Sequence, residues 1–238
     1  MDEANLASIA RSLIADGRGI LAADESTGTI TKRFDGIGVE STEENRRSYR
    51  ELLFTTPGLG EFVSGAILYD ETIRQAATDG TPIPALLAKQ DIHPGIKVDT
   101  GAKPLAGSAE ETVTEGLDGL RERVAEYHAL GARFAKWRAV IKIGDGIPTP
   151  YCIETNAHAL ARYARLCQDG GLVPIVEPEV LMDGDHDIDQ CDAVTTETLH
   201  VVFAALHRQG VSLEGMLLKP NMVISGKDCS RQADVDEV

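Results

Sequence analysis

Short apolar runs recur along the chain at a nearly constant interval, and this spacing restricts the possible folds more than any other feature. Runs typical of strands begin near Ile20, Phe62, Ile96, Phe134, Leu172 and Met216. They lie about 34 to 44 residues apart, which is the length of a strand followed by a helix and its loops. Since alternating strands and helices build a parallel sheet covered by helices, the sequence predicts an α/β protein.

Two of the intervening segments carry helix signals. Ser41-Thr42-Glu43-Glu44 resembles a capping box at the start of a helix. Residues 156–166 are rich in alanine and place apolar residues at helical spacing. The final residues, 234–238, are typical of the opening of a further helix.

Charged residues stand two positions apart inside several of the apolar runs. The pairs are Lys97 with Asp99, Lys136 with Arg138, and Glu177 with Glu179. Residues two apart on a strand lie on the same face. Trp137 lies between Lys136 and Arg138, so it is predicted to point outward and pack under a helix. Charged residues spread over five units favour a barrel, whose mouth collects side chains from many strands, over a doubly wound sheet with one switch point.

The number of units falls short of a closed barrel. The chain has 238 residues, and they contain six strand-like runs, whereas a (β/α)₈ TIM barrel has eight strands. Six strands would leave raw sheet edges where the barrel should close. We therefore expect residues 1–238 to form a single barrel domain that lacks about the last two βα units at its C-terminus.

Composition narrows the classes of partner. The formal net charge of -15 argues against nucleic acid and anionic membranes, because both require an accessible basic surface. No apolar stretch reaches the length of a membrane span. The four cysteines are Cys152, Cys167, Cys191 and Cys229. They form no CxxC pair and suit a reducing compartment, so a cytoplasmic location is expected.

No metal site is expected from the sequence. The histidines are scattered, and none has the helical spacing of a zinc pair. The acidic loop at residues 183–187 resembles a calcium loop, but Ile188 and Val194 stand where glycine and glutamate are needed. We interpret this loop as solvated.

Lys219 lies where a short apolar run meets a proline. An amine carried out of a buried sheet into a half-enclosed mouth loses hydration, and nearby cations add to this, which favours its neutral, nucleophilic form. Lys219 is therefore a candidate to form a Schiff base, although Lys136 fits the same argument.

The mouth would collect Asp24, Lys97, Asp99, Lys136, Arg138, Glu177, Glu179, Lys219 and Asn221. The other cations suit a phosphate-bearing substrate and a carboxylate could transfer protons, while buried ion pairs that brace the barrel remain the alternative.

Five segments, in order along the chain, resemble the class I fructose-bisphosphate aldolases. They are Gly19 to Gly28, Gly95 to Asp99, Phe134 to Arg138, Val176 to Glu179 and Leu217 to Met222. The resemblance implies a (β/α)₈ barrel that reversibly cleaves fructose 1,6-bisphosphate into dihydroxyacetone phosphate and glyceraldehyde 3-phosphate. It implies a lysine imine, no metal and no cofactor, and it suggests a homotetramer.

The resemblance also implies the roles of individual residues. Lys219 matches the imine-forming lysine, Glu177 the acid/base glutamate and Lys136 a lysine that assists carbinolamine chemistry. Asp24 matches the aspartate linked to the C4 hydroxyl, and Glu179 matches a supporting carboxylate. The positions that match substrate- and phosphate-binding residues are Ser26, Arg33, Arg46, Lys97 and Arg138.

The chain departs from the family pattern in two respects. Thr100 stands where the family commonly has another lysine. The glycine-rich Leu-Ser-Gly-Gly segment, a later phosphate-binding arginine and a C-terminal tyrosine have no counterpart. Two alternatives therefore accompany the aldolase hypothesis: a transaldolase-like barrel that uses the same imine chemistry, and a non-catalytic fragment that acts only by association with other subunits.

Overall fold

The computed structural model describes residues 2–15 and 17–238. The helices are α1 (Glu3–Leu13), α2 (Thr27–Asp35), α3 (Glu43–Phe54), α4 (Leu59–Phe62), α5 (Asp70–Ile73), α6 (Ile83–Ala88), α7 (Leu120–Ala129), α8 (Pro150–Asp169) and α9 (Ile188–Arg208). The strands are β1 (Gly19–Ala23), β2 (Val63–Leu68), β3 (His93–Lys97), β4 (Ala102–Pro104), β5 (Thr112–Thr114), β6 (Phe134–Ile141), β7 (Val173–Val180) and β8 (Leu217–Leu218). A 3₁₀ helix, Leu213–Gly215, precedes β8.

Six strands form one parallel sheet in the order β1-β2-β3-β6-β7-β8. Each strand pairs with the next strand of the sheet along the chain, which is barrel order, because a doubly wound sheet would reverse its order at a switch point. All six strand predictions are confirmed. The short antiparallel hairpin of β4 and β5 lies between β3 and β6 in the chain and was not predicted.

The inner face of the sheet is packed at the amino ends of its strands. Phe134, on the same face of β6 as the charged pair that follows it, is fully buried. Its ring lies against Gly65 and Gly95 of the neighbouring strands, where a side chain would collide with it. Leu13 of α1 belongs to the same buried cluster. Helix α1 therefore closes this end of the sheet, and the charged residues lie toward the other end.

The outer face of β6 packs under a helix, as predicted for Trp137. Its side chain is fully buried and stacks on Tyr163 of α8, with ring centroids 5.4 Å apart. The Tyr163 hydroxyl donates to the carbonyl of Ala135 at 2.8 Å. The same hydroxyl lies 3.2 Å from the carbonyl of Ile175, so Tyr163 links β6 and β7 to the helix that covers them.

One local prediction is wrong. The helix after residue 41 begins as expected, but Thr42 is its N-cap and accepts from the Asn45 amide. Glu44 pairs with Arg47, so the predicted capping box does not form, because the third helical position holds Asn45. Residues 235–237 form a single turn, in which the Val238 amide donates to the carbonyl of Asp234 at 3.2 Å. Its tightness comes from the Asp234 carboxylate, which accepts from the backbone amides of Asp236 and Glu237.

Candidate active site

Four charged side chains from four strands form a line of alternating sign. Asp24 follows β1, Lys136 lies on β6, Glu177 on β7, and Lys219 follows β8. The Lys136 Nζ donates to Asp24 Oδ2 at 3.0 Å and lies 3.6 Å from Glu177 Oε2. The Lys219 Nζ donates to Glu177 Oε1. Glu177 therefore bridges the two lysines that the sequence could not separate. We call Asp24, Lys136, Glu177 and Lys219 the lysine-carboxylate network.

Burial differs sharply along this network. The exposed fraction of the side chain is 3% for Glu177, 13% for Lys136 and 59% for Lys219. The prediction that Lys219 loses its hydration in an enclosed mouth is therefore wrong for this structure. Lys219 follows a strand of only two residues at the border of the sheet, and within residues 2–15 and 17–238 no strand covers its far side. Its direct hydrogen-bond partner is the Glu177 carboxylate.

Lys136 is held as a cation. Burial by itself would lower its pKa, but attraction to Asp24 and Glu177 outweighs burial and raises the pKa above the ordinary value. Asp99 also contributes to this increase. Lys136 thus keeps its proton at neutral pH and is a hydrogen-bond donor rather than a free nucleophile.

A second group of charges lies beside the network. Arg138 pairs with Glu179 through its Nε, and the backbone amide of Arg138 donates to Asp99 Oδ2 at 3.4 Å. The Lys97 Nζ lies 3.7 Å from Asp99 Oδ1. Burial would lower the pKa of Arg138, but its bond to Glu179 raises it. Lys97 and Arg138 are thus two cations that face the mouth, each held by one carboxylate.

The other predicted substrate-binding residues lie on α2 and α3. Ser26 is the N-cap of α2 and accepts from the Thr29 amide at 3.4 Å. Arg33 pairs with Glu25, and its side chain is 59% exposed. Arg46 is buried and donates two bonds to Glu71, at 2.8 and 2.6 Å. Within the described chain, none of these three side chains bonds to the lysine-carboxylate network.

The loop after β8 is anchored by Asn221. Its Oδ1 accepts from the Val180 amide at 3.1 Å, and its Nδ2 donates to Thr195 at 3.0 Å. A cleft of about 230 Å³ lies here, lined among others by Glu177, Glu179 and Lys219. Asn221 therefore fixes the segment that carries Lys219.

One buried residue beside Asp24 was not predicted from the sequence. Arg50 of α3 is fully buried and bonds to the main chain on both sides of Asp24. A signal for it exists, because Arg46, Arg50 and Phe54 are spaced four apart and share the buried face of α3.

In the described residues, no cluster of three or more His, Cys, Asp or Glu side chains has the geometry to hold a metal ion. None of the helices described is long and apolar enough to cross a membrane. All four cysteines are free thiols.

Parallel α/β architecture in barrel order, with lysines and carboxylates gathered where the strands end, defines the class as a (β/α) barrel with a lysine-centred site. The family model for class-I fructose-bisphosphate aldolase matches residues 5–238. A probable fructose-bisphosphate aldolase class 1 from Xanthomonas campestris pv. campestris is 64% identical over 233 residues, covering 98% of this chain and 70% of that protein. Fructose-bisphosphate aldolase 1 from Toxoplasma gondii is 56% identical over 235 residues, covering 98% of this chain and 65% of that protein.

A solved structure of an aldolase is also similar to this chain. The fructose-bisphosphate aldolase of Plasmodium falciparum superposes with a TM-score of 0.96 at 53% identity, covering 99% of this chain and 68% of that chain. The chain belongs to the class-I fructose-bisphosphate aldolase family, and its six-stranded parallel sheet forms part of the family's (β/α)₈ barrel.

Proposed function

We propose that the protein reversibly cleaves fructose 1,6-bisphosphate into dihydroxyacetone phosphate and glyceraldehyde 3-phosphate through an imine on Lys219. The family supplies the reaction, and the observation that carries the residue assignment is the lysine-carboxylate network. It places one amine in hydrogen-bond contact with the buried Glu177 carboxylate and a second amine 3.6 Å from the other oxygen of that carboxylate. An amine that attacks a carbonyl and a carboxylate that moves the resulting protons are what imine formation requires.

Lys219 is the better nucleophile of the two lysines. Lys136 is shared between Asp24 and Glu177, and its raised pKa keeps it protonated. Lys219 is paired only with Glu177 among the residues described, and it is the exposed member of the network. Because substrate reaches an exposed amine more readily, we assign the attack on the C2 carbonyl to Lys219.

Glu177 is assigned the proton transfers of imine formation. Its carboxylate contacts the Lys219 amine, so it can accept a proton from the attacking amine and return one to the departing hydroxyl as water. The Lys136 ammonium lies 3.6 Å from the other oxygen of Glu177 and donates to the carbinolamine oxygen. Burial at 3% exposure keeps this carboxylate away from bulk water, which strengthens both contacts.

Carbon-carbon cleavage is assigned to Asp24 with the imine as electron sink. Asp24 removes the proton of the C4 hydroxyl, the C3–C4 bond breaks, and its electron pair moves through C3 and C2 to the imine nitrogen. Glyceraldehyde 3-phosphate leaves, and an enamine remains on Lys219. Protonation at C3 and hydrolysis then release dihydroxyacetone phosphate and restore the amine.

The substrate carries two phosphates, and each needs cations to bind it. Because the net charge of the protein is strongly negative, these cations must be placed locally at the site. Lys97 and Arg138 lie at the mouth, and Glu179 orients Arg138 through their ion pair. We assign phosphate and substrate binding to these two cations together with Ser26, Arg33 and Arg46. Arg33 is the most exposed of the three that lie on α2 and α3, so it can leave Glu25 for a phosphate at little cost.

We also propose a cytoplasmic location and a homotetramer. The free thiols fit a reducing compartment, and one relative, from Arabidopsis thaliana, is described as a cytosolic fructose-bisphosphate aldolase. Light scattering behind a size-exclusion column measures the subunit number; a monomeric mass would contradict the tetramer.

The proposed reaction is tested by a coupled assay for dihydroxyacetone phosphate. We expect cleavage of fructose 1,6-bisphosphate, much weaker cleavage of fructose 6-phosphate, and full activity in a metal chelator. The Lys219→Met variant should lose at least about 100-fold, because the covalent electron sink is gone. Equal activity on both ketoses would favour a transaldolase-like enzyme, and activity retained in Lys219→Met would refute the imine assignment.

A further inference from the structure

A buried arginine holds the main chain on both sides of Asp24. Arg50 lies on the inner face of α3 and is fully buried. Its Nε donates to the carbonyl of Ala23 at 3.0 Å, and its Nη2 donates to the carbonyl of Glu25 at 2.9 Å. One planar group therefore bonds to the residue before Asp24 and to the residue after it.

Burying Arg50 costs free energy, and its packing in the core does not by itself offset that cost. Burying a guanidinium requires removal of its water, and burial lowers the pKa of Arg50 although Glu25 opposes this. The ion pair between Arg50 and Glu25 is long, because Nη2 lies 3.5 Å from Glu25 Oε2. The Arg50 Nη1 has no hydrogen-bond partner in the part of the chain described. The well-formed bonds of Arg50 are thus the two to carbonyl oxygens.

We propose that Arg50 is a positioning residue for Asp24, and that it aims the Asp24 carboxylate at the Lys136 ammonium. The catalytic consequence rests on the proposed function. With both flanking carbonyls held, the backbone of Asp24 is fixed and only its side-chain torsions remain free. The rigid fork of a guanidinium can hold two acceptors at a set separation, whereas a lysine ammonium acts as a single point charge.

The Lys136 amine reports on this geometry. Its pKa is raised mainly by Asp24, then by Glu177, with Asp99 adding to both. If Asp24 swings away, Lys136 loses its nearest carboxylate while its burial stays, so its pKa falls. The titration midpoint of Lys136 distinguishes a positioning role of Arg50 from a purely structural one. A purely structural role would alter stability without altering the titration of Lys136.

Competitive acetylation at a series of pH values, followed by peptide mass spectrometry, measures the titration midpoint of Lys136 with exposed Lys89 as reference. We expect Arg50→Met and Arg50→Lys to lower the midpoint by about one pH unit, and Asp24→Asn to lower it similarly. Circular dichroism confirms that each variant is folded. Arg50→Lys retains the charge, so it keeps the test valid if Arg50→Met does not fold.

Two matched controls separate the carbonyl contacts from other effects. Arg47→Met removes a half-buried arginine of the same helix that pairs with Glu44 and Glu51. Glu25→Gln removes the charge beside Arg50 but keeps the main-chain carbonyl. Both should leave the Lys136 midpoint unchanged. A folded Arg50→Lys variant with the wild-type midpoint, in a series where Asp24→Asn lowers it, would overturn the proposal.

A second measurement distinguishes failure of this proposal from failure of the proposed function. Borohydride trapping of dihydroxyacetone phosphate needs Lys219 and Glu177, whereas cleavage also needs Asp24. We expect Arg50→Lys to reduce cleavage by about 10- to 100-fold and to leave trapping within about twofold of wild type. Equal losses in both would refute the positioning role. Absence of trapping in wild type would refute the imine function, while the Lys136 titration would still decide the role of Arg50.

Discussion

At the scale of single residues, the distribution of carboxylates separates two lysines that look alike in sequence. Lys136 lies inside an apolar run and Lys219 at the end of one, and the sequence places both at the mouth. Periodicity says nothing of how many carboxylates each amine meets. The number of carboxylates around each lysine depends on which strands are neighbours and on their register. In β6 and β7, for example, the register sets Lys136 beside Ile175 and Arg138 beside Glu177. The set of charged residues was therefore predictable, whereas the division of labour between the lysines was not.

The pairing of Lys136 predicts a dependence of stability on pH. The Lys136→Met variant leaves Asp24 and Glu177 buried without their shared cation, so we expect a loss of about 3 kcal/mol in unfolding free energy near neutral pH. Since the folded-state pKa of Lys136 is raised above the ordinary lysine value of 10.5, the stability from its pairing is fully present below that value. It is lost as the pH rises through the folded-state pKa.

Urea unfolding of wild type and Lys136→Met at several pH values measures this. The difference in unfolding free energy between the two proteins should be constant from neutrality to about pH 10 and shrink above it. A difference that grows with rising pH, or that is absent near neutrality, would contradict the pairing.

At the scale of secondary structure elements, long periodic segments were predictable and short ones were not. The six strands and the alanine-rich part of α8 follow from apolar patterns. The β4–β5 hairpin escaped detection because strands of three residues are too short to show a period. The position of the α3 cap shifted by one residue because the choice between Ser41 and Thr42 depends on backbone angles. The role of α1 as a closure over Phe134 depends on contacts between distant segments.

The closure at the base of the sheet gives a prediction for Gly95. A methyl group at this position would enter the space of the Phe134 ring, so Gly95→Ala should cost about 1 to 3 kcal/mol of unfolding free energy. The matched control is Gly19→Ala in β1, where an added methyl group meets nothing within 4 Å. Denaturant unfolding measures both variants, and an equal effect of the two substitutions would contradict the packing described here.

At the scale of the whole molecule, a consecutive parallel sheet gathers residues that are far apart in the chain. Asp24 and Lys136 are 112 residues apart in sequence, yet their charged groups lie 3.0 Å apart. We propose that residues 1–238 form one domain, because one large buried cluster contains residues from Ala23 to Met216. In the unfolding curves of wild type, circular dichroism and the fluorescence of Trp137 should then give coincident transitions. Separate transitions would contradict a single domain.

The central claim is that the lysine-carboxylate network exists to form an imine on Lys219. Incubation with dihydroxyacetone phosphate followed by borohydride reduces any imine to a stable secondary amine, and peptide mass spectrometry locates it. We expect one adduct per chain, on Lys219, and none in Lys219→Met. An adduct on Lys136 would contradict the assignment of the nucleophile, and no adduct on any lysine would contradict the mechanism.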